Sequence, residues 1–138
     1  MEPFVALVVG FCAARLAGLL GVSALDAWYP ALCVGLAVMF LFTALAHFHP
    51  APRADLIAMV PRPDLLVTLT GGLEIAGAIG LLVPALSRWA AAGLALLMIA
   101  LFPANVSAAR RQVAQGDPLG RRTLFQAVYV GAATLVAL

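Results

Sequence analysis

The sequence predicts an all-α integral membrane protein, a bundle of membrane helices. Residues of the AVILMFWYC set make up 64% of the 138 residues and charged residues only 10%, against about 45–50% and 25% in soluble domains. So few charges leave a soluble domain of this length with large exposed apolar patches. The net charge of +2 is small, and the basic residues sit in two short stretches, 53–62 and 110–122, with no aromatic side chains interleaved there. This gives no indication of nucleic-acid binding.

Five apolar stretches approach or reach the roughly 20 helical residues that a hydrocarbon core about 30 Å thick requires. They cover residues 4–22, 28–46, 65–83, 89–106 and 123–138. Their apolar runs are continuous and do not alternate as barrel strands do, so we expect helices. Asp26, Pro84 and the 116–118 segment fit helix ends. The 47–64 connection, with four prolines around residues 53–60, reads as a short interfacial helix or as an ordinary loop.

The arginines predict the orientation of the chain. Two loops, 47–64 and 107–122, carry Arg53, Arg62, Arg110, Arg111, Arg121 and Arg122, and the opposite loops carry only Arg88. The arginine-rich side is therefore expected in the cytoplasm, with the N-terminus inside and the C-terminus outside. A cleaved signal peptide is the alternative for the first stretch, but that stretch begins without a basic residue and contains Arg15.

Glu74 is the candidate catalytic residue, as a buried proton acceptor. It is the tenth of nineteen residues in its stretch, and an ionisable group at mid-bilayer is costly and usually faces protein or water. Small residues on both sides predict that the helix packs on both flanks, with one set on the Glu74 side and a second set opposite, formed by Gly72, Ala76 and Gly80. The structural alternative is a neutral carboxyl or one paired with a neighbour.

Arg15 either pairs with Glu74 or extends its long side chain toward an interface.

Four polar residues are expected at one depth near the cytoplasmic face and form the candidate ligand-binding set: Thr43, His47, Asn105 and Gln126. Pro103 cannot donate to the Ile99 carbonyl, which leaves an acceptor free nearby. A lipophilic carbonyl compound could bond to this set, with its tail beside Leu36, Phe40 and Leu101. The alternative is that these residues bond headgroups and helix ends.

Metal and nucleotide chemistry find no support in the sequence. No set of three or four metal ligands occurs, and the glycines around Glu74 lack the spacing of a nucleotide-binding loop. Cys12 and Cys33 lie inside apolar runs at different depths, which argues against a disulfide. No cofactor is evident, although a quinone fits the polar set.

Several motifs, in order, resemble the DoxX family of small bacterial integral membrane proteins: Thr43 to Phe48, Met59 to Pro61, Thr70 to Glu74, Gly80 to Pro84 and Phe102 to Val106. The resemblance implies a four-helix membrane domain over 28–138, with residues 1–27 as an additional N-terminal membrane helix. It also implies a bacterial cytoplasmic membrane location and a link to redox chemistry, since the family is named after a subunit of a thiosulfate:quinone oxidoreductase.

Two functions of different classes follow. The first is a redox-associated subunit that binds a quinone or similar molecule near His47, Asn105 and Gln126, itself catalytic or not, and partnered by a soluble or membrane oxidoreductase. The second is a non-enzymatic membrane scaffold or assembly factor, whose polar residues hold helices together. A transporter is disfavoured because the chain shows no inverted repeat, although a homo-oligomer would supply symmetry.

Overall fold

The computed structural model describes residues 2–59, 63–111 and 118–138, and these residues form helices with no strand among them. The helices are α1 (Glu2–Leu19), α2 (Trp28–Phe48), α3 (Pro50–Met59), α4 (Pro63–Leu82), α5 (Ser87–Arg111) and α6 (Leu119–Ala137), with a 3₁₀ turn at Ser23–Leu25. The predicted all-α class is therefore confirmed. The connection that begins at residue 47 contains the helix α3, so a helix was the right alternative there.

Within the described part of the chain, four helices are long and apolar enough to cross a membrane: α1, α2, α4 from Asp64 onward, and α5. The helix α6 has 19 residues but carries Arg121 and Arg122 in its first turn and Gln126 one turn later, which lowers its hydropathy. The fifth crossing therefore stays a prediction.

The core lies between α2, α4, α5 and α6. The helix α2 packs against α4 on one side and α6 on another, and α5 packs against both α4 and α6. Large side chains from three of these helices are almost fully buried, among them Leu36, Met39, Leu81 and Leu94. The helix α1 packs on the outer side of α2, where Gly35 lets the helices approach so closely that a Cβ there would lie 2.8 Å from the Leu7 carbonyl oxygen.

The end of the bundle away from α3 is held by polar contacts. The Tyr29 hydroxyl lies 2.8 Å from Ser87 Oγ and 3.3 Å from the Val136 carbonyl oxygen, which links α2, α5 and α6. At this end the Arg15 guanidinium donates to the carbonyl oxygens of Leu25 and Asp26. Arg15 therefore extends toward the end of α1, and the alternative in which it pairs with Glu74 was wrong.

Small residues of α4 give a mixed result. The helix does pack on two flanks, with Gly71 against α2 and Gly77 and Gly80 against α5. Of the second predicted set, Gly80 contacts a neighbouring helix, whereas Gly72 and Ala76 are exposed. The expectation of a second packed ridge was therefore wrong at those two positions, because neither position faces a helix that α4 packs against.

Candidate functional site

A cavity of about 1060 Å³ occupies the end of the bundle that carries α3. Its walls come from α2, α4, α5 and α6, and residues of α3 and the first turn of α1 also line it. The structure brings to this cavity all the predicted site residues: Thr43, His47, Glu74, Asn105 and Gln126. The shared depth expected from the sequence is thus accompanied by a shared direction, which the sequence alone could not give.

The first polar wall of the cavity joins α2 to α4 through His47 and Glu74, both of which are buried. Nε2 of His47 lies 3.6 Å from Oε1 of Glu74, an ion-pair distance. The other carboxylate oxygen, Oε2, accepts a hydrogen bond of 2.7 Å from the Thr43 hydroxyl. The sequence left open whether the Glu74 carboxyl group pairs with a neighbour. In the structure it has two partners on α2, Thr43 and His47.

The neighbours of the other ring nitrogen of His47, Nδ1, show that this nitrogen carries a hydrogen. Nδ1 is 2.7 Å from the Val67 carbonyl oxygen and 3.2 Å from Thr70 Oγ1. Because a carbonyl oxygen can only accept, Nδ1 must carry a hydrogen. With the ring hydrogen on Nδ1, Nε2 faces Oε1 of Glu74, and the two side chains form an ion pair when the ring is protonated.

Gly71 allows this wall to form. A Cβ at Gly71 would lie 2.6 Å from Cβ and 2.9 Å from Cγ of His47. Real side chains do not approach so closely, so only glycine lets α4 come near enough for His47 to reach the Val67 carbonyl. Small residues at such a crossing are typical of membrane helices that pack closely.

The second polar wall joins α5 to α6. The Gln126 side-chain amide donates to the Met98 carbonyl oxygen over 2.5 Å, and the Asn105 amide donates to Gln126 Oε1 over 3.4 Å. Arg122 in turn donates to Asn105 Oδ1. Pro103 lies within α5 and lacks the N–H that would donate to the Ile99 carbonyl. The carbonyl that Gln126 engages is, however, that of Met98, one residue before the acceptor expected from the sequence.

Most of the remaining lining is apolar. Phe40 and Leu101, two of the side chains expected beside a ligand tail, line the cavity. Leu36 belongs to the buried core of the bundle and is not among the lining residues, so its expected place beside the tail was wrong. It lies one helical turn deeper on α2 than Phe40, where α2 faces its neighbouring helices.

Two residues of the site were missed from the sequence. Thr70 was considered as the first residue of the motif that ends at Glu74, and its contact with Nδ1 of His47 at 3.2 Å was not foreseen. Arg53 was counted only as a loop arginine, yet its Nη1 donates to the His47 carbonyl oxygen over 2.6 Å. A signal for Arg53 existed in its spacing, because it follows the end of α2 by about one turn and cations favour the carbonyl end of a helix.

In the part of the chain that the structure describes, no group of three or more His, Cys, Asp or Glu side chains is placed to hold a metal ion. Both cysteines are free thiols, Cys12 exposed and Cys33 buried. The imidazole, carboxyl, hydroxyl and amide groups described above suit hydrogen bonding to a ligand. Other polar side chains also line the cavity, namely those of Glu2, His49, Asp55, Ser107, Arg121, Arg122 and Tyr129.

Comparison with known proteins gives one match. A family model described as "Domain of unknown function (DUF8561)" matches residues 36–137, from the middle of α2 to the end of α6. No curated protein and no solved structure matches the chain. The matched region contains both polar walls of the cavity and leaves out α1.

Proposed function

Since the chain belongs to the DUF8561 family, whose description names no activity, we propose from the site itself that it binds a quinone or another lipophilic carbonyl compound in this cavity. The observation that carries the proposal is the buried His47–Glu74 pair, which lines a largely apolar cavity inside a bundle of membrane helices. Ligand sites in proteins are commonly apolar with a few well-placed polar groups.

The size of the cavity supports a ligand with a ring and part of a chain. Its volume of about 1060 Å³ lies just above the range of about 300–1,000 Å³ typical of small-molecule sites. Phe40 and Leu101 offer apolar surface to a ring or an isoprenoid chain. Asn105 and Gln126 each keep one amide hydrogen beyond the bonds described above, and these hydrogens are suited to a carbonyl oxygen.

The pair also suits a ligand that gains and loses protons. Reduction of a quinone adds protons to its oxygens, and His47 and Glu74 lie 3.6 Å apart at the cavity wall. Imidazole and carboxyl groups are common proton donors and acceptors. We assign Glu74 the role of proton acceptor: it takes up a proton through His47 and passes it to a quinone oxygen when the quinone is reduced.

The resemblance to the DoxX family extends this proposal to a cellular role. In that role the chain is a multi-pass subunit of the bacterial cytoplasmic membrane that works with an oxidoreductase partner. The chain's own groups would bind the quinone and handle its protons, and electrons would come from the partner.

A membrane scaffold is the second candidate, and the hydrogen bonds themselves favour it. His47 bonds to a backbone carbonyl of α4, and Gln126 bonds to one of α5. Both side chains therefore tie one helix to another, which is what a structural role requires. In this case the cavity holds lipid chains and the protein acts through its surface.

Binding of a quinone to the purified protein separates the two candidates. We expect extracts of the purified protein to contain a quinone, and a short-chain benzoquinone or naphthoquinone to bind in titration. Glu74→Gln and Gln126→Leu should each weaken binding about tenfold, which is the loss of about one hydrogen bond. Arg88→Gln, at the opposite end of the bundle, is the control and should bind normally. Absence of quinone binding, with a partner protein retained, would favour the scaffold.

A further inference from the structure

The helix α3 lies across the end of the cavity. Three of its residues, Pro52, Asp55 and Leu56, contribute to the cavity lining, and the helix packs against α2, α4 and α5. Between residues 51 and 58 no side chain of α3 is fully buried. Apolar packing alone therefore holds this helix less firmly than it holds the others.

Among the residues that the structure describes, the Arg53 guanidinium joins α3 to its neighbours through several polar contacts. Arg53 Nη1 donates to the His47 carbonyl oxygen at the end of α2 over 2.6 Å. Its Nη2 donates to Thr68 Oγ1 over 3.1 Å, and to the Asp64 carbonyl oxygen over 3.4 Å, and lies 3.5 Å from the Asp64 carboxylate. Arg53 thus joins α3 to the end of α2 and to the first turns of α4.

The contacts of Arg53 lie next to the contacts of the His47 ring in the candidate site. Arg53 bonds to the main chain of His47, whose ring bonds to the Val67 carbonyl. It also bonds to Thr68, the residue that follows Val67. The same two short segments, at the end of α2 and the start of α4, therefore carry both the His47 ring contact and the Arg53 contacts.

From this geometry we propose that Arg53 is a positioning residue that holds α3 as a cover between the cavity and the water at this end of the bundle. A lipophilic ligand reaches the cavity from the bilayer between the helices, whereas water and small ions reach it past α3. Arg53 thereby limits the access of water to the His47–Glu74 pair. This role of Arg53 rests on the proposed function of the cavity. Its test measures access to the cavity and uses no ligand.

The test places one thiol in the cavity. In a background with Cys12→Ser and Cys33→Ala, the change Ala104→Cys puts a small reporter side chain at a lining position of α5. The full chain is placed in lipid nanodiscs, which leave both membrane faces in contact with water. The rate of alkylation is measured with a charged, sulfonated maleimide that enters from water and with N-ethylmaleimide, which also dissolves in lipid.

Arg53→Gln should raise the rate with the charged reagent about tenfold, because several charge-assisted hydrogen bonds that hold α3 are lost. Arg53→Lys should give an intermediate rate, since an ammonium keeps the charge but not the planar set of donors. The rate with N-ethylmaleimide should stay close to that of the parent. Arg88→Gln, an exposed arginine at the other end of the bundle, is the matched control and should change neither rate.

Two results would overturn the inference: an unchanged rate with the charged reagent in Arg53→Gln, or an equal rise with both reagents, which would show general loosening of the bundle. The experiment distinguishes this role of Arg53 from quinone binding. A protein that binds no quinone can still be alkylated faster by the charged reagent in the Arg53→Gln variant. Conversely, quinone binding that depends on Glu74 can persist when Arg53 has no effect on access.

Discussion

At the residue scale, Glu74 is held by two neighbours on the facing helix. Thr43 donates to one carboxylate oxygen, and His47 lies at ion-pair distance from the other. The sequence alone left open an unpaired carboxyl, whose replacement by leucine would stabilise the protein by relieving desolvation. The observed pairing reverses that expectation, because removing one partner of a buried pair leaves the other without its bond.

We therefore expect Glu74→Leu to lower the free energy of unfolding by about 1–3 kcal/mol, since His47 Nε2 loses its buried partner and the Thr43 hydroxyl keeps only the Phe40 carbonyl oxygen of its own helix. Glu74→Gln keeps an oxygen for Thr43 and should retain most of the stability while losing the proton acceptor. Denaturant or thermal unfolding in detergent measures both variants. A Glu74→Leu protein as stable as the parent would show that the pair contributes nothing to folding.

The contact of Thr43 with Glu74 has a matched control in the same chain. Thr43→Val keeps the shape of the side chain and removes the 2.7 Å bond, so we expect a loss of about 1 kcal/mol in the free energy of unfolding. Thr134 is exposed and bonds only to the Val130 carbonyl of its own helix, and Thr134→Val should change stability by less than about 0.5 kcal/mol. Equal effects of the two substitutions would contradict the account of Thr43.

At the scale of the elements, the crossing of α2 and α4 depends on one of two adjacent glycines. A Cβ at Gly71 would lie 2.6 Å from a side-chain atom of His47, whereas a Cβ at Gly72 would meet nothing within 4 Å. The two positions share a helix and a depth, so their comparison isolates the effect of close packing from that of helix propensity.

Gly71→Ala should lower the free energy of unfolding by about 1–3 kcal/mol through overpacking and should weaken quinone binding by displacing His47. Gly72→Ala should be neutral or stabilising by up to about 1 kcal/mol, because alanine favours the helix. Melting temperature and quinone affinity, measured side by side, check both. If Gly71→Ala behaves like Gly72→Ala, then α2 and α4 are farther apart than the structure shows.

Much of each element was predictable from the sequence, because the length of an apolar run follows directly from the thickness of a bilayer. The four helices that are long and apolar enough to cross a membrane lie close to four of the five predicted stretches. The finer contacts were not predictable. That Gln126 bonds to the Met98 carbonyl depends on how α6 is placed along α5. That Gly72 is exposed depends on which side of α4 its neighbour occupies, and the composition of one helix does not fix this.

At the scale of the whole molecule, the predicted five-pass topology requires the starts of α1 and α6 and the helix α3 to lie on one side. Pro3 at the start of α1, Leu56 of α3 and Arg121 at the start of α6 all line the same cavity, so these segments lie at one end of the bundle. That end also carries most of the arginines, as the orientation rule requires of a cytoplasmic face.

Reporter fusions test this topology. A reporter fused after Leu138 should indicate the outer side of the membrane, and reporters inserted after residue 55 or within 112–117 should indicate the cytoplasm. Four crossings without α6 would place both the C-terminus and the 112–117 insertion on the cytoplasmic side. That outcome would contradict the predicted fifth crossing while leaving the helices themselves unchanged.

The sequence predicted the depth of the site residues because depth follows from position along a helix. It could not predict that they face one another, because the rotation of each helix about its axis depends on all its neighbours together. The polar walls formed by His47 with Glu74 and by Asn105 with Gln126 are thus a property of the assembled bundle. The glycine at position 71 was visible in the sequence, but its role required the position of α2.

Photo-crosslinking with a quinone that carries a photoreactive group tests the central claim most directly, since it asks whether a quinone occupies this cavity. We predict that labelled peptides come from cavity-lining segments of α2, α4 and α5 and that excess unlabelled quinone suppresses the labelling. Ala104→Phe, which places a bulky ring at a lining position of α5, should strongly reduce it, whereas Leu96→Phe on the exposed side of α5 should not. Labelling spread over exposed residues such as Leu16 and Leu20, and unaffected by Ala104→Phe, would contradict the account.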